Sequence, residues 1–185
     1  MTTSQPLDWS ALEPFQRVLL TTDGTVTDIL SAYLGEAIKV RKLGQSTEVS
    51  ERGVTLLNLL AGSGLMRRQI VLCGETSGQA YLFAESLIVP ERLPSEICEG
   101  LTFSQRPVGM LMIDSRLETF REIVRTEKII AGKRSNYFGC STDNWLISRT
   151  YLVFASGEPV MQITEQFPET AFVGINTAVD SATDQ

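Results

Sequence analysis

The stretch "WLISRTYLVFASGEPVMQITEQF", Trp145 to Phe167, decides the fold. Two runs rich in β-branched and aromatic residues flank "SGEP" at 156–159, and that pattern predicts a β-hairpin. Successive side chains of a strand alternate faces. In the second run Met161, Ile163, Glu165 and Phe167 point one way, leaving Gln162, Thr164 and Gln166 as the wet face. In the first run Trp145, Ile147, Tyr151 and Val153 share a face with Arg149. Each core row therefore contains one charge.

Working outward, "AIKVRKL" (37–43), "LMRRQIVLC" (65–73), "AYLFAESLIVP" (80–90) and "TFREIVRTEKII" (119–130) also read as strands, with "GETSGQ" a hairpin loop. In "LMRRQIVLC" Met66, Ile70 and Leu72 share a face with Arg68, while Arg67 and Gln69 fall on the other. Two helical patterns precede the strands. "DWSALEPFQRVLLT" (8–21) is interrupted by Pro14, and "TVTDILSAYLG" (25–35) has Thr25 and Asp28 in capping-box spacing and Gly35 as its stop. "LPSEICEGL" and "PVGMLMIDS" predict short helices, the second opening at Pro107. Helices followed by hairpin-linked strands predict an α+β fold: a single antiparallel sheet of about six strands, with helices packed on one side. One domain over 1–175 and a disordered tail over 176–185 are expected.

Composition narrows the chemistry. A chain of 185 residues, 43% hydrophobic, can bury a real core. It contains no histidine, and its three cysteines, Cys73, Cys98 and Cys140, lack CxxC spacing, which argues against zinc and against a disulfide framework. Any general acid or base must then be Asp, Glu, Lys, Tyr or Cys. "AGKRS" (131–135) is not a phosphate-binding loop, because Glu127 stands where the first glycine should be. A net charge of −6 argues against nucleic acid, and no apolar run suits a membrane span, so a cytoplasmic protein is expected. An anionic ligand would need specific arginines to overcome that field.

Arg68, Arg149 and Glu165 thus occupy core rows, where a charge is costly unless paired or hydrogen-bonded. Two readings follow. One is a buried Arg–Glu ion pair. The other is a closed pocket for a small acid, with arginine for carboxylates and a desolvated glutamate for proton transfer.

The order and spacing of "LLTTDGTVTDIL", "LMRRQIVLC", "AYLFAESLIVP", "PVGM" and "RTYLVFASGEPVMQITEQFP" resemble the chorismate pyruvate-lyases from about Leu12 to Pro168. The likeness is closer to the branch found in cyanobacteria and actinobacteria than to the enzyme that opens bacterial ubiquinone synthesis. It implies a chorismate lyase-like fold and conversion of chorismate to 4-hydroxybenzoate and pyruvate without a cofactor, serving quinone synthesis. It also places Arg68 on the ring carboxylate, together with the main chain of Val108 and Gly109, and Glu165 beside the ring hydroxyl. Where the ubiquinone-pathway enzyme has an arginine before "VVP", this chain has Ser86. Arg149 is the first candidate to replace that arginine at the enolpyruvyl carboxylate, and Arg134 the second. The competing reading is a free-standing sensor of small aromatic acids, although too few residues precede the first strand for a winged-helix domain.

Overall fold

A computed structural model describes residues 3–104 and 106–173. The strands are β1 (Ser4–Gln5), β2 (Ile38–Val49), β3 (Gly64–Gly74), β4 (Ala80–Ile88), β5 (Thr119–Ile130), β6 (Trp145–Ala155) and β7 (Glu158–Pro168). They form one sheet in the order β1-β5-β6-β7-β4-β3-β2, antiparallel throughout. The β6–β7 hairpin turns through Ser156 and Gly157, both at positive φ (51° and 81°), as a two-residue turn matched to strand twist requires. The sheet has seven described strands rather than six because β1, two residues long, pairs with Ile129 and Lys128 and is too short to leave a pattern. Strand β2 runs past its expected end at Leu43, because a bulge between Lys42 and Gly44 breaks the alternation there.

The helices are α1 (Pro14–Thr21), α2 (Val26–Leu34), α3 (Ser95–Phe103), α4 (Val108–Asp114) and the single turn α5 (Ser135–Phe138). Pro14 begins α1, where its missing N–H costs nothing. The expected helix over 8–21 therefore splits, leaving Trp9–Ala11 as a separate 3₁₀ turn capped by Asp8. Thr25 is the N-cap of α2, but its side chain makes no capping bond. It lies against Gly109 instead, its Oγ1 3.5 Å from where a Cβ would stand.

Four helices cover one face of the sheet as two packed layers. Leu19 and Leu20 of α1 and Leu30 of α2 pack on Ile70, Leu72, Leu82, Ala84, Ile147 and Phe167. Ile97 and Leu101 of α3 and Leu111 and Met112 of α4 pack on Met66, Ile88, Tyr151, Val153 and Ile163. On each shared strand the nearest residues of the two layers stand four positions apart, as at Met66 and Ile70, Ala84 and Ile88, Ile147 and Tyr151, and Ile163 and Phe167. The seam between the layers therefore crosses the sheet at Arg68, Ser86, Glu165 and Arg149.

The opposite face is not uniformly wet. Helix α5 packs there, with Tyr137 stacked on Phe83 at 5.7 Å and Phe138 beside Val71 and Cys73. Gln166, assigned to the wet face by alternation, is paired with Phe83 and only 4% exposed. The expected disordered tail over 176–185 lies outside the described residues. No described helix is long and apolar enough to cross a membrane.

Candidate active site

The seam has two unlike ends. At one end Arg68 stands on β3 between Met66 and Ile70, 2% exposed. Its Nη2 donates to the Arg106 carbonyl at 3.3 Å, while its Nε is buried without a partner. Among the described residues no carboxylate lies within ion-pair reach of it. Its cross-strand neighbours are Gln45 and Ser86, both neutral, and Gln45 Oε1 is likewise buried without a partner. A second cation adds to the charge: Lys42 Nζ donates to the carbonyls of Leu101 and Thr102, each at 3.2 Å. Burial pushes the Arg68 guanidinium below its usual pKa, and burial followed by the charge of Arg68 does the same to Lys42.

At the other end the charges are satisfied internally. Arg149 and Glu165 face each other across β6 and β7, and Arg149 Nε donates to Glu165 Oε2 at 2.7 Å. Arg149 Nη1 donates to the Thr22 carbonyl at 2.8 Å, which ties the pair to the loop before α2. The Tyr151 hydroxyl donates to Glu165 Oε1 at 3.1 Å. Burial, then the charge of Glu165, raises the Tyr151 pKa well above the tyrosine range, so the phenol stays a donor. The guanidinium carbons of Arg149 and Arg121 stand 5.1 and 5.8 Å from the centre of its ring.

Between the ends runs β4, with Ala84 paired to Glu165 and Ser86 paired to Arg68. These are the small side chains of the row. Two strand spacings across and two residues along separate the Arg68 and Glu165 backbones by about 12 Å. The turn into α4 borders the same region, because the Arg68 bond to Arg106 leads directly to Val108 and Gly109. Those two residues open the helix, where main-chain N–H groups have no partner within the helix.

Alternation correctly placed Arg68, Arg149 and Glu165 on one face, and the Arg106 carbonyl that Arg68 bonds lies two residues before Val108. The structure does not bring Arg134 there. Arg134 stacks over Phe83 at 5.4 Å on the opposite face, carried there by the 3₁₀ turn at Gly132–Arg134, and cannot serve the seam. Arg149 lies on the seam, engaged with Glu165 through Nε and with the Thr22 carbonyl through Nη1. Lys42, Gln45, Arg121 and Tyr151 had not been singled out as site residues. Lys42 shares the alternation of Val40 and was open to the same test, whereas the β2 bulge hides Gln45. Among the described residues no group of three or more His, Cys, Asp or Glu side chains is placed to hold a metal ion.

An open antiparallel sheet with four helices on one face and this connectivity is the chorismate lyase-like fold. PhnF from Mycobacterium smegmatis superposes with a TM-score of 0.64 at 12% identity, over 80% of this chain and 65% of that one, just under two thirds of its length. A GntR-family transcriptional regulator from Bacillus cereus superposes at 0.57 and 8% identity, over 77% of this chain and 99% of that one. At such identities the likeness shows the fold alone. Sequence goes further. The chain belongs to the chorismate pyruvate-lyase family, matching the group described as Rv2949c-like over residues 20–172. A chorismate pyruvate-lyase of Mycobacterium leprae is 33% identical over 161 residues, covering 84% of this chain and 75% of that one.

Proposed function

We propose that this protein is a chorismate lyase that eliminates pyruvate from chorismate to give 4-hydroxybenzoate, the aromatic precursor of a quinone head group. The observation that carries the reading is the seam itself. A buried arginine without a carboxylate partner faces a buried carboxylate across small side chains, which suits an acid with a ring between its functional ends. Arg68 takes the ring carboxylate through its planar fork, and the Val108 and Gly109 amides meet the same group. Glu165 then lies toward the ring hydroxyl, held in place by Arg149 and Tyr151.

The chemistry asks little beyond this. The proton on the hydroxyl-bearing ring carbon leaves to Glu165, and its electron pair enters the ring. The neighbouring C–O bond breaks, and enolpyruvate departs with that bonding pair. A proton added to its methylene carbon yields pyruvate. Aromatisation supplies driving force, while the protein supplies orientation and fixed charge. On this reading every part is a side chain or main-chain group of this chain, so turnover should survive a chelator.

A second reading, a sensor that binds a small aromatic acid without turnover, draws on the fold shared with the Bacillus cereus regulator. One experiment separates the two. Purified protein incubated with chorismate in the presence of a chelator should release 4-hydroxybenzoate and pyruvate in equal amounts. Binding of 4-hydroxybenzoate without release of either product would favour the sensor.

A further inference from the structure

Chorismate carries a second carboxylate on its enolpyruvyl group, and the residues discussed so far leave it without a partner. Ser86 is neutral, Arg134 is on the wrong face, and Arg149 already gives Nε to Glu165 and Nη1 to the Thr22 carbonyl. One further arginine belongs to the helix-covered face. Arg121 on β5 pairs with Val153, a member of the α3–α4 layer. Its Nη1 donates to the main-chain carbonyls of Asp23 and Gly24, the latter at 2.7 Å, and its Nε is buried without a partner. Among the described residues no carboxylate is within ion-pair reach of it.

Its position fits the geometry of the substrate. The enolpyruvyl ether is attached to the ring carbon next to the one bearing the hydroxyl, so the second carboxylate must lie toward Glu165 and away from Arg68. Arg121 lies over the ring of Tyr151, whose hydroxyl bonds Glu165. Its Nη2 is also 3.8 Å from where a Cβ of Gly109 would stand. The turn from Arg106 to Gly109 thus touches Arg68 on one side and Arg121 on the other. Arg121 also helps line a cavity of about 260 Å³, together with Asp23, Gly24, Thr25, Ile113, Thr119 and Phe120.

We infer that Arg121 is the residue that recognises the enolpyruvyl carboxylate, taking the place of the arginine missing at Ser86. The inference rests on the chorismate reading and has a test of its own, because substrate and product differ in this group. 4-Hydroxybenzoate keeps the ring carboxylate and has lost the other. In Arg121→Gln the KM for chorismate should rise roughly 10- to 100-fold, the scale of one charge-assisted hydrogen-bonded contact. The Kd for 4-hydroxybenzoate should stay within about twofold, whereas Arg68→Lys should weaken both ligands. If Arg121→Gln melts early through loss of its bonds to Asp23 and Gly24, Arg121→Lys retains the charge and a donor for those carbonyls. It should show the same split between substrate and product, at smaller size. Unchanged kcat/KM for chorismate in the folded variants would overturn the inference while leaving the lyase reading intact. Equal weakening of chorismate and 4-hydroxybenzoate would also overturn it, making Arg121 a support for the 23–25 loop. A wild-type protein that does not turn over chorismate would instead overturn the reading beneath it.

Discussion

The two ends of the seam carry the same residue in the same kind of place, with opposite consequences. Arg68 and Arg149 are each 2% exposed, and each sits in an apolar row of a strand. Arg149 has a carboxylate at 2.7 Å, a carbonyl at 2.8 Å and an aromatic ring beneath it. Among the described residues Arg68 has a single carbonyl, an unpartnered Nε and a lysine that adds to its charge. A buried ion pair stabilises a fold only weakly, but breaking one is costly, because the surviving charge stays buried. A buried cation with no counter-charge already bears that cost. The Arg149 end is therefore paired within the chain, while on the proposed reading an anion from outside pairs the Arg68 end.

This contrast is broken most severely from the closed end. Arg149→Met leaves Glu165 buried with only Tyr151, so unfolding free energy should fall by about 3–5 kcal/mol, read from denaturant melts. A loss below about 1 kcal/mol would mean that the pair is no more than a surface-grade contact.

Glu165→Gln removes the charge while retaining shape. Turnover of chorismate should fall roughly 10²-fold or more, the usual scale for a general base. The melting temperature should fall as well, since Arg149 loses its counter-charge. Full specific activity at a temperature where the variant is folded would reduce Glu165 to a structural partner of Arg149.

The smallest effect sharpens the open end through pH. Burial and the charge of Arg68 hold Lys42 below its usual pKa, so between that lowered value and the ordinary lysine value the unfolded chain binds more protons than the folded one. Stability of the ligand-free protein therefore gains with rising pH in that window. A bound carboxylate reverses the shift, so 4-hydroxybenzoate should bind with proton uptake, and its affinity should fall as pH rises through the titration of Lys42. Titrations in buffers of different ionisation enthalpy measure the uptake, and Lys42→Met should abolish it.

How much of this was legible in the sequence depended on whether a strand ran unbroken. Alternation found Arg68, Arg149 and Glu165 because β3, β6 and β7 cross the seam without a bulge. Strand β2 is irregular between Lys42 and Gly44, and Gln45 emerges on the unexpected face. In β5 the register shifts between Ile123 and Arg125, so the row that begins Thr119, Arg121, Ile123 never grows long enough to look like a core row. Gln166 was misjudged for another reason: nothing local reveals that α5 will fold over its neighbour Phe83. Arg134 was misplaced because a loop charge has no alternation to test. Pairing was out of reach in every case, since the sequence showed two arginines and one glutamate on a core face but not which arginine the glutamate would take.

The central claim is that Arg68 is a place for a ligand's anion and adds nothing to the stability of the fold. Thermal melts of the wild type and Arg68→Met, each with and without 4-hydroxybenzoate, test it most directly. Replacing an uncompensated buried cation with an apolar side chain of similar volume should leave the ligand-free melting temperature unchanged or raised. The wild type should gain about 2.7 kcal/mol of stability at a ligand concentration 100 times Kd, and Arg68→Met should gain nothing measurable. An Arg68→Met protein that melts well below the wild type, yet is stabilised by 4-hydroxybenzoate to the same extent, would contradict the account.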